Sequence, residues 1–156
     1  MKNCNPADTP IEFGLKLNKV GRGDMVDNTL YRQIVGSLMY VTATRPDIMY
    51  AVSLKSRYMD SPAESHLLAA KRILRYLQGT KDFGLFYKKG EKYVLIDFAD
   101  RDYAGDQDDR KSTSGYVFVL GTGAVSWFLE RKKLSLYRLL KRNLLQLQLM
   151  LFKLFG

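Results

Sequence analysis

Six aspartates fall within the thirteen positions of "DFADRDYAGDQDD": Asp97, Asp100, Asp102, Asp106, Asp108 and Asp109. Carboxylates gathered this way are oxygen ligands of the kind Mg²⁺ takes, in near-octahedral geometry with several waters retained. Two such ions about 4 Å apart can stabilise both the attacking and the leaving oxygen of a phosphodiester cleavage. That chemistry draws its carboxylates from several different elements. Side chains repeat every second residue along a strand, so Asp100 and Asp102 are expected on one face. Asp106, Asp108 and Asp109 fall in the loop that follows. A calcium loop would need oxygen ligands where Ala104 and Lys111 stand, which rejects it. One histidine (His66) and one cysteine (Cys4) exclude a thiolate or imidazole zinc site, and the helical placement of that histidine speaks against a Ser-His-Asp arrangement. His66 lies in a helical pattern and reads as a packing or surface residue. By its residues alone, the acidic stretch is a solvated strand-to-loop edge.

The elements that must position these residues come in the order helix, helix, helix, then strands, which gives an α+β fold. Residues 1–26 carry Pro6, Pro10, Gly21 and Gly23 and read as an extended arm. Asp27 is a good N-cap for a helix through "NTLYRQIVGSLMYVTA", with Leu30, Ile34 and Leu38 on its buried face beside Val35 and Met39. Pro46 ends that helix and opens a second, "PDIMYAVSLKSRYM". In "SPAESHLLAAKRILRYLQGT" the sequence predicts Ser61 as N-cap, Pro62 at the first helical position, Glu64 completing a capping box and Gly79 as the stop. Leu67, Ala70, Leu74 and Leu77 form the expected buried stripe. "FGLFYKKG" and "KYVLIDFAD" alternate as strands about Gly90, which starts the sheet near residue 83, and "GYVFVLGTGAVSW" reads as a hairpin turning at "GTG".

Lys71, Arg72 and Arg75 share another face of the third helix and could track a phosphate backbone; the plainer reading is a solvated face. The net charge of +9 is uneven. Residues 128–156 hold seven Lys and Arg against one Glu, whereas the rest of the chain holds eighteen basic against fifteen acidic residues. A nucleic-acid reading from charge alone would therefore rest on the tail. No apolar run reaches the roughly 18 residues needed to span a bilayer, and "MKNCNPADTP" has no signal-peptide core. With a single cysteine, this gives an expectation of an intracellular protein, cytoplasmic or nuclear.

The segments "LYRQIVGSLMYVTATRPDIMYAVSLKSRYM", "HLLAAKRILRYLQGTKDFGLFY" and "DFADRDYAGDQDDRKSTSGYVFVLGTGAVSW", in that order, resemble the Pol polyprotein of copia-type retrotransposons over residues 1–127. The resemblance implies the end of a reverse transcriptase joined to the start of ribonuclease H. Residues 27–90 would be the reverse transcriptase's carboxyl-terminal connection helices, and residues 91–127 the first strands of a ribonuclease H-like mixed sheet. The polymerase's Tyr-Val-Asp-Asp turn does not occur here. In the family's Thr-Asp-Ser-Asp-Tyr-Ala-Gly pattern the first aspartate binds the catalytic metal, and its position matches Asp100, with Asp102 as a further candidate. Arg101 stands where a small residue is usual and sets a cation beside that ligand. The implied cofactor is Mg²⁺, held loosely. The implied partner is an RNA–DNA hybrid, bound weakly through Lys71, Arg72, Arg75, Arg110 and Lys111, with no small-molecule substrate.

After Trp127 the chain departs from the family. "FLERKKLSLYRLLKRNLLQLQLMLFKLFG" replaces the helix that would bring the second metal-binding carboxylate. A one-nucleotide frame shift accounts for this: strings encoding "LLKRNLLQLQ" and "LQLMLFKLFG" can be chosen that read Thr-Glu-Ala-Lys-Phe-Ile-Ala-Ala-Ala and Thr-Asp-Ala-Val-Gln-Ala-Ile-Trp one frame over. Residues 128–156 are then an irregular or helical, out-of-frame basic tail. A catalytically inactive fragment is the expectation. Two other functions remain open. The tail could lie on an anionic membrane or in a partner's groove. "RILR", residues 72–75, matches the Arg-x-Leu-Arg pattern of secreted oomycete effectors.

Overall fold

In the computed structural model the Asp27 side chain accepts a hydrogen bond from the Thr29 amide at 2.9 Å and opens α1, Asn28–Val41. The structure describes residues 4–89, 94–102, 108 and 113–131, without the side chains of Arg101 and Asp102. Pro46 cannot continue a helix and begins a short 3-10 turn, Pro46–Ile48, which runs into α2, Met49–Ser56. The second expected helix is thus two pieces. The helix α3 spans Glu64–Gly79. Three strands follow: β1, Leu95–Asp102; β2, Thr113–Leu120; and β3, Gly123–Glu130. They pair antiparallel in the order β1-β2-β3. The chain is α+β, as the sequence predicts.

The contacts divide the chain into a helical unit of residues 1–86 and 106–110 and a sheet unit of residues 87–105 and 111–156. In the helical unit, Leu38, Ile48, Ala51, Val52, Ile73 and Tyr76 form one core cluster with Ala7 from the arm. Tyr31, Val35, Tyr58 and Ala70 form a second. The buried stripe of α1 is Tyr31, Val35 and Leu38, whereas Leu30 and Met39 are exposed. The observed stripe is turned by about one residue from the expected one, because the Tyr31 ring turns inward and its hydroxyl donates to the Lys55 carbonyl at 2.9 Å. The stripe of α3 is similarly His66, Ala69, Ala70, Ile73 and Tyr76, with Leu67, Leu74 and Leu77 only half-buried.

Ser61 is not the N-cap of α3, and Pro62 is not its first residue. The helix begins two positions later because the arm supplies the acceptors that a serine hydroxyl would have supplied. Arg22 O accepts from the Ser65 amide at 3.0 Å and Asp24 O from the Glu64 amide at 2.9 Å. Met25 bridges Ala63 antiparallel, and Val26 N donates to Pro62 O at 2.9 Å. Gly21 makes the close approach possible. It sits at φ 67°, and a Cβ there would meet the Ala63 methyl at 2.4 Å and the His66 ring at 2.9 Å.

Residues 83–89 form no strand, so the sheet starts at Leu95 rather than near residue 83. The Phe83 amide bonds back to Thr80 O, and the Lys88 amide donates to the Thr122 hydroxyl rather than to a ladder carbonyl. The β2–β3 hairpin turns at Gly121 and Thr122, with Gly121 at φ 61°, where a left-handed backbone suits glycine. A bulge at Val125 shifts the register after Phe118. The strand β3 continues through Phe128, Leu129 and Glu130, three residues into the stretch assigned to the tail.

Candidate metal and nucleic-acid site

Asp100 is exposed on β1 opposite Gly115, with Phe98 two residues before it on the same face. Asp97 stands opposite Phe118 on the other face. Asp102 closes β1 opposite Thr113, and its side chain lies outside the described part. Asp106, Asp109, Arg110 and Lys111 are also outside it. Asp108 belongs to the helical unit, where its carboxylate accepts the Lys19 amide at 3.0 and 3.2 Å. No group of three or more His, Cys, Asp or Glu that could hold a metal occurs among the described residues. Among the described side chains, Asp97 and Asp100 are the carboxylates of β1, and they lie on opposite faces.

The basic face of α3 divides in its surroundings. Lys71 is exposed. Arg72 donates from Nε to Thr9 O and from Nη2 to the Thr9 hydroxyl, both at 3.1 Å. Arg75 Nε donates to Asn5 O at 2.7 Å. Near the same end, the Cys4 thiol donates to Gln78 Oε1 and Pro6 packs on Gly79. Asn5 and Thr9 each precede a proline, and their carbonyls accept from these two arginines. Arg72 and Arg75 therefore clamp the arm to α3, a role that depends on a contact more than sixty residues distant in sequence.

Three polar features of the helical unit carry no signal in local spacing. Arg45 is buried; its guanidinium bonds both Asp47 oxygens at 2.9 and 2.6 Å and reaches Thr80 O and Oγ1 at 2.8 and 2.7 Å. The Tyr76 hydroxyl completes the cluster by donating to Asp47 Oδ2 at 2.8 Å. The hydrogen bond from Arg45, aided by that from Tyr76, holds the Asp47 carboxyl below the usual aspartate range despite partial burial. Lys55, on α2, is buried, and desolvation with the nearby Arg57 cation brings its pKa down to about 8. His66 is fully buried and stacks on Tyr58 with ring centroids 4.0 Å apart. Of the packing and surface roles expected of it, this is the packing one.

The helices and hairpin lie in the order that the quoted segments imply, and the comparisons with known proteins agree. The chain is 47% identical over 133 residues to the "Retrovirus-related Pol polyprotein from transposon RE1" of Arabidopsis thaliana, covering 85% of this chain and 9% of that protein. It is 43% identical over 135 residues to the corresponding polyprotein from transposon TNT 1-94 of Nicotiana tabacum, covering 81% of this chain and 10% of that one. It is also 44% identical over 101 residues to "Secreted RxLR effector protein 161" of Plasmopara viticola, covering 64% of this chain and 71% of that protein. No protein-family profile and no solved structure matches the chain. The chain belongs to the Pol polyprotein family of copia-type retrotransposons. It spans about a tenth of the length of the transposon polyproteins it matches. Among the described residues no helix is long and apolar enough to cross a membrane.

Proposed function

We propose that this chain is the junction of a reverse transcriptase's carboxyl-terminal helices with the first strands of a ribonuclease H domain, and that alone it cleaves no nucleic acid. The observation that carries the reading is Asp100. It stands on the first strand of an antiparallel hairpin sheet, at the position matching the family's first metal-binding aspartate. One exposed carboxylate holds Mg²⁺ too loosely for two-metal chemistry, which needs several carboxylates fixed together. The candidates for gripping a hybrid's phosphates are Lys71, Arg110 and Lys111, with Arg72 and Arg75 joining them only where their bonds to Thr9 and Asn5 open. Such binding is weak, salt-dependent and blind to sequence. A shifted reading frame would account for the departure from the family after Trp127, and residues 128–156 would then contribute no second metal ligand. The test is hydrolysis of a labelled RNA–DNA hybrid by the purified full chain with and without Mg²⁺. No cleavage is expected in either case; magnesium-dependent cleavage overturns the reading.

A second reading comes from the relative named as a secreted RxLR effector. It would make "RILR" a linear export motif. In the folded chain this tetrapeptide is helical, Ile73 is fully buried, and Arg72 and Arg75 hold the arm. A motif read as an exposed segment would require that region of α3 to come apart. Secretion of a tagged full chain supports this reading, and retention inside the cell removes it.

A further inference from the structure

His66 ties three separate segments together with one ring. Its Nδ1 accepts the Ala63 amide at 3.0 Å, its Nε2 donates to Asn18 O at 2.9 Å, and its face lies parallel to Tyr58 at 4.0 Å. Both nitrogens are thereby assigned, and the ring is neutral with its proton on Nε2. The partners are not incidental. Ala63 immediately precedes α3, and residues 21–26 of the arm lie along this end of the helix. Those arm residues give the Glu64 and Ser65 amides their acceptors, and the Ser65 hydroxyl accepts in return from the Arg22 amide at 2.9 Å.

We propose that His66 is a pH-sensitive latch: the neutral ring closes arm residues 18–26 over the amino end of α3, and the protonated ring releases them. A second proton can enter only at Nδ1. It turns the acceptor of the Ala63 amide into a donor that faces another donor across 3.0 Å. The charge also arrives in a buried site. From α2 the Lys55 ammonium opposes it, and the Tyr58 ring stacks on its face. The arm carries Lys19 and Arg22 on either side of the Gly21 that packs on the ring. The Asn18 carbonyl and Asp108 favour the cation, but the Asp108 carboxylate already accepts the Lys19 amide. From α3, Glu64 packs against Gly23. Burial leads these effects and holds the His66 imidazole below the usual histidine range, with Lys55 acting in the same direction. The ring is thus neutral near neutrality, and the release lies on the acid side. Once the Ala63 bond is lost, the arm carbonyls that cap α3 are no longer held in register with it.

The latch does not depend on the proposed function, and it can be read directly in the full chain. NMR would follow the His66 ring from about pH 7.5 to about pH 4.5, across the histidine range and below it. In parallel, hydrogen exchange would be measured for residues 18–26, for residues 63–66 and for Tyr31, Val35 and Leu38 in α1. With each rate corrected for the intrinsic effect of pH, the expected result is a loss of protection of about tenfold or more in the first two groups. Its midpoint should coincide with the ring's titration while the α1 amides stay protected. Unchanged protection as the ring titrates overturns the latch, and so does simultaneous loss at α1, which is global unfolding. His66→Gln supplies a ring-free control, because its amide can accept from Ala63 and donate to Asn18 without titrating. It should keep the arm closed across the range, and an identical acid release in that variant overturns the proposal. If the variant does not fold, the coincidence of midpoints in the unaltered chain still decides.

Discussion

The two units of this chain bury themselves to different degrees. In the helical unit, Tyr31, Val35, Ile48 and Ile73 are wholly out of solvent, and the arm adds Ala7 to the same core. In the sheet unit, Phe118, Thr113 and Gly123 are the buried residues among those described, while Ile96 and Phe98 are 44% and 58% exposed. The helices close a core because three of them and a strap cover one another's apolar stripes. A three-stranded sheet is a single layer, and a layer becomes stable by packing a face against another element. The face that carries Ile96, Phe98 and Val117 also carries Asp100. The same surface that a ribonuclease H-like reading would use for chemistry is therefore also the least covered apolar surface of the sheet.

The largest effect that separates the units is a cavity in the helical core. Ile73→Ala removes a fully buried side chain that packs in the cluster with Leu38, Ile48 and Tyr76, and should cost about 3 kcal/mol. Urea unfolding followed by far-ultraviolet circular dichroism measures it. A cost under about 1 kcal/mol would mean that the helical unit is no better packed than the sheet.

Next comes the polar cluster. Arg45→Met leaves the Asp47 carboxylate without its guanidinium and takes from the Thr80 carbonyl one of its two donors, the other being the Phe83 amide, and should cost about 2 kcal/mol near neutral pH. Because the folded-state pKa of Asp47 is depressed, its stabilisation is complete above the ordinary aspartate value near 3.8 and is lost as pH falls below it. Unfolding curves of the variant and the parent should converge in that acid window. A constant gap down to about pH 2 would assign the loss to packing of the arginine stem instead.

Lys55 should act with the opposite sign. Its folded-state pKa of about 8 lies under the unfolded value of 10.5, so the buried ammonium is a penalty that persists below pH 8 and fades as pH rises from 8 toward 10.5. Lys55→Met keeps the stem and removes the charge, and should stabilise the helical unit by about 1 kcal/mol at neutral pH. The gain should shrink between pH 8 and about pH 10 in thermal melts. A gain independent of pH would mean that the ammonium is solvated in the native state.

How far these features can be read from sequence follows the range of the interactions behind them. Asp27 and Gly121 act within a few residues and mark the boundaries that the sequence predicts, whereas Pro46 opens the second helical stretch but α1 has already ended at Val41. Ser61 fails as a cap because the acceptors for α3 come from Arg22 and Asp24, some forty residues earlier, and a local rule has no access to them. The stripe of α1 shifts because Tyr31 counts as buried only once Lys55 O is there to receive its hydroxyl. Residues 83–89 alternate like a strand and form none, since alternation describes a face and not a partner. Of the candidate site, the spacing of Asp100 and Asp102 can be read in one strand, but the metal-binding role proposed for them comes from the family pattern. Arg72 and Arg75 are visible as a basic face; that they clasp the arm at Asn5 and Thr9 is a tertiary fact.

The smallest expected effect is on the sheet, and it sharpens the comparison most directly. Phe98 is a large apolar side chain more than half in water, opposite Val117 on the face that Asp100 shares. Phe98→Ser removes little buried area, so folding stability should change by less than about 0.5 kcal/mol, against the several expected at Ile73. The side chain's main consequence lies in contacts between molecules, since an exposed apolar sheet face favours association. Phe98→Ser should therefore lower the concentration-dependent light scattering of the full chain while leaving its unfolding midpoint in place. Phe118→Ser, one strand away and buried, should shift the sheet's melting instead. If Phe98→Ser destabilises the sheet as much as Phe118→Ser does, then that face is covered, and the contrast between a closed helical unit and an open sheet does not hold.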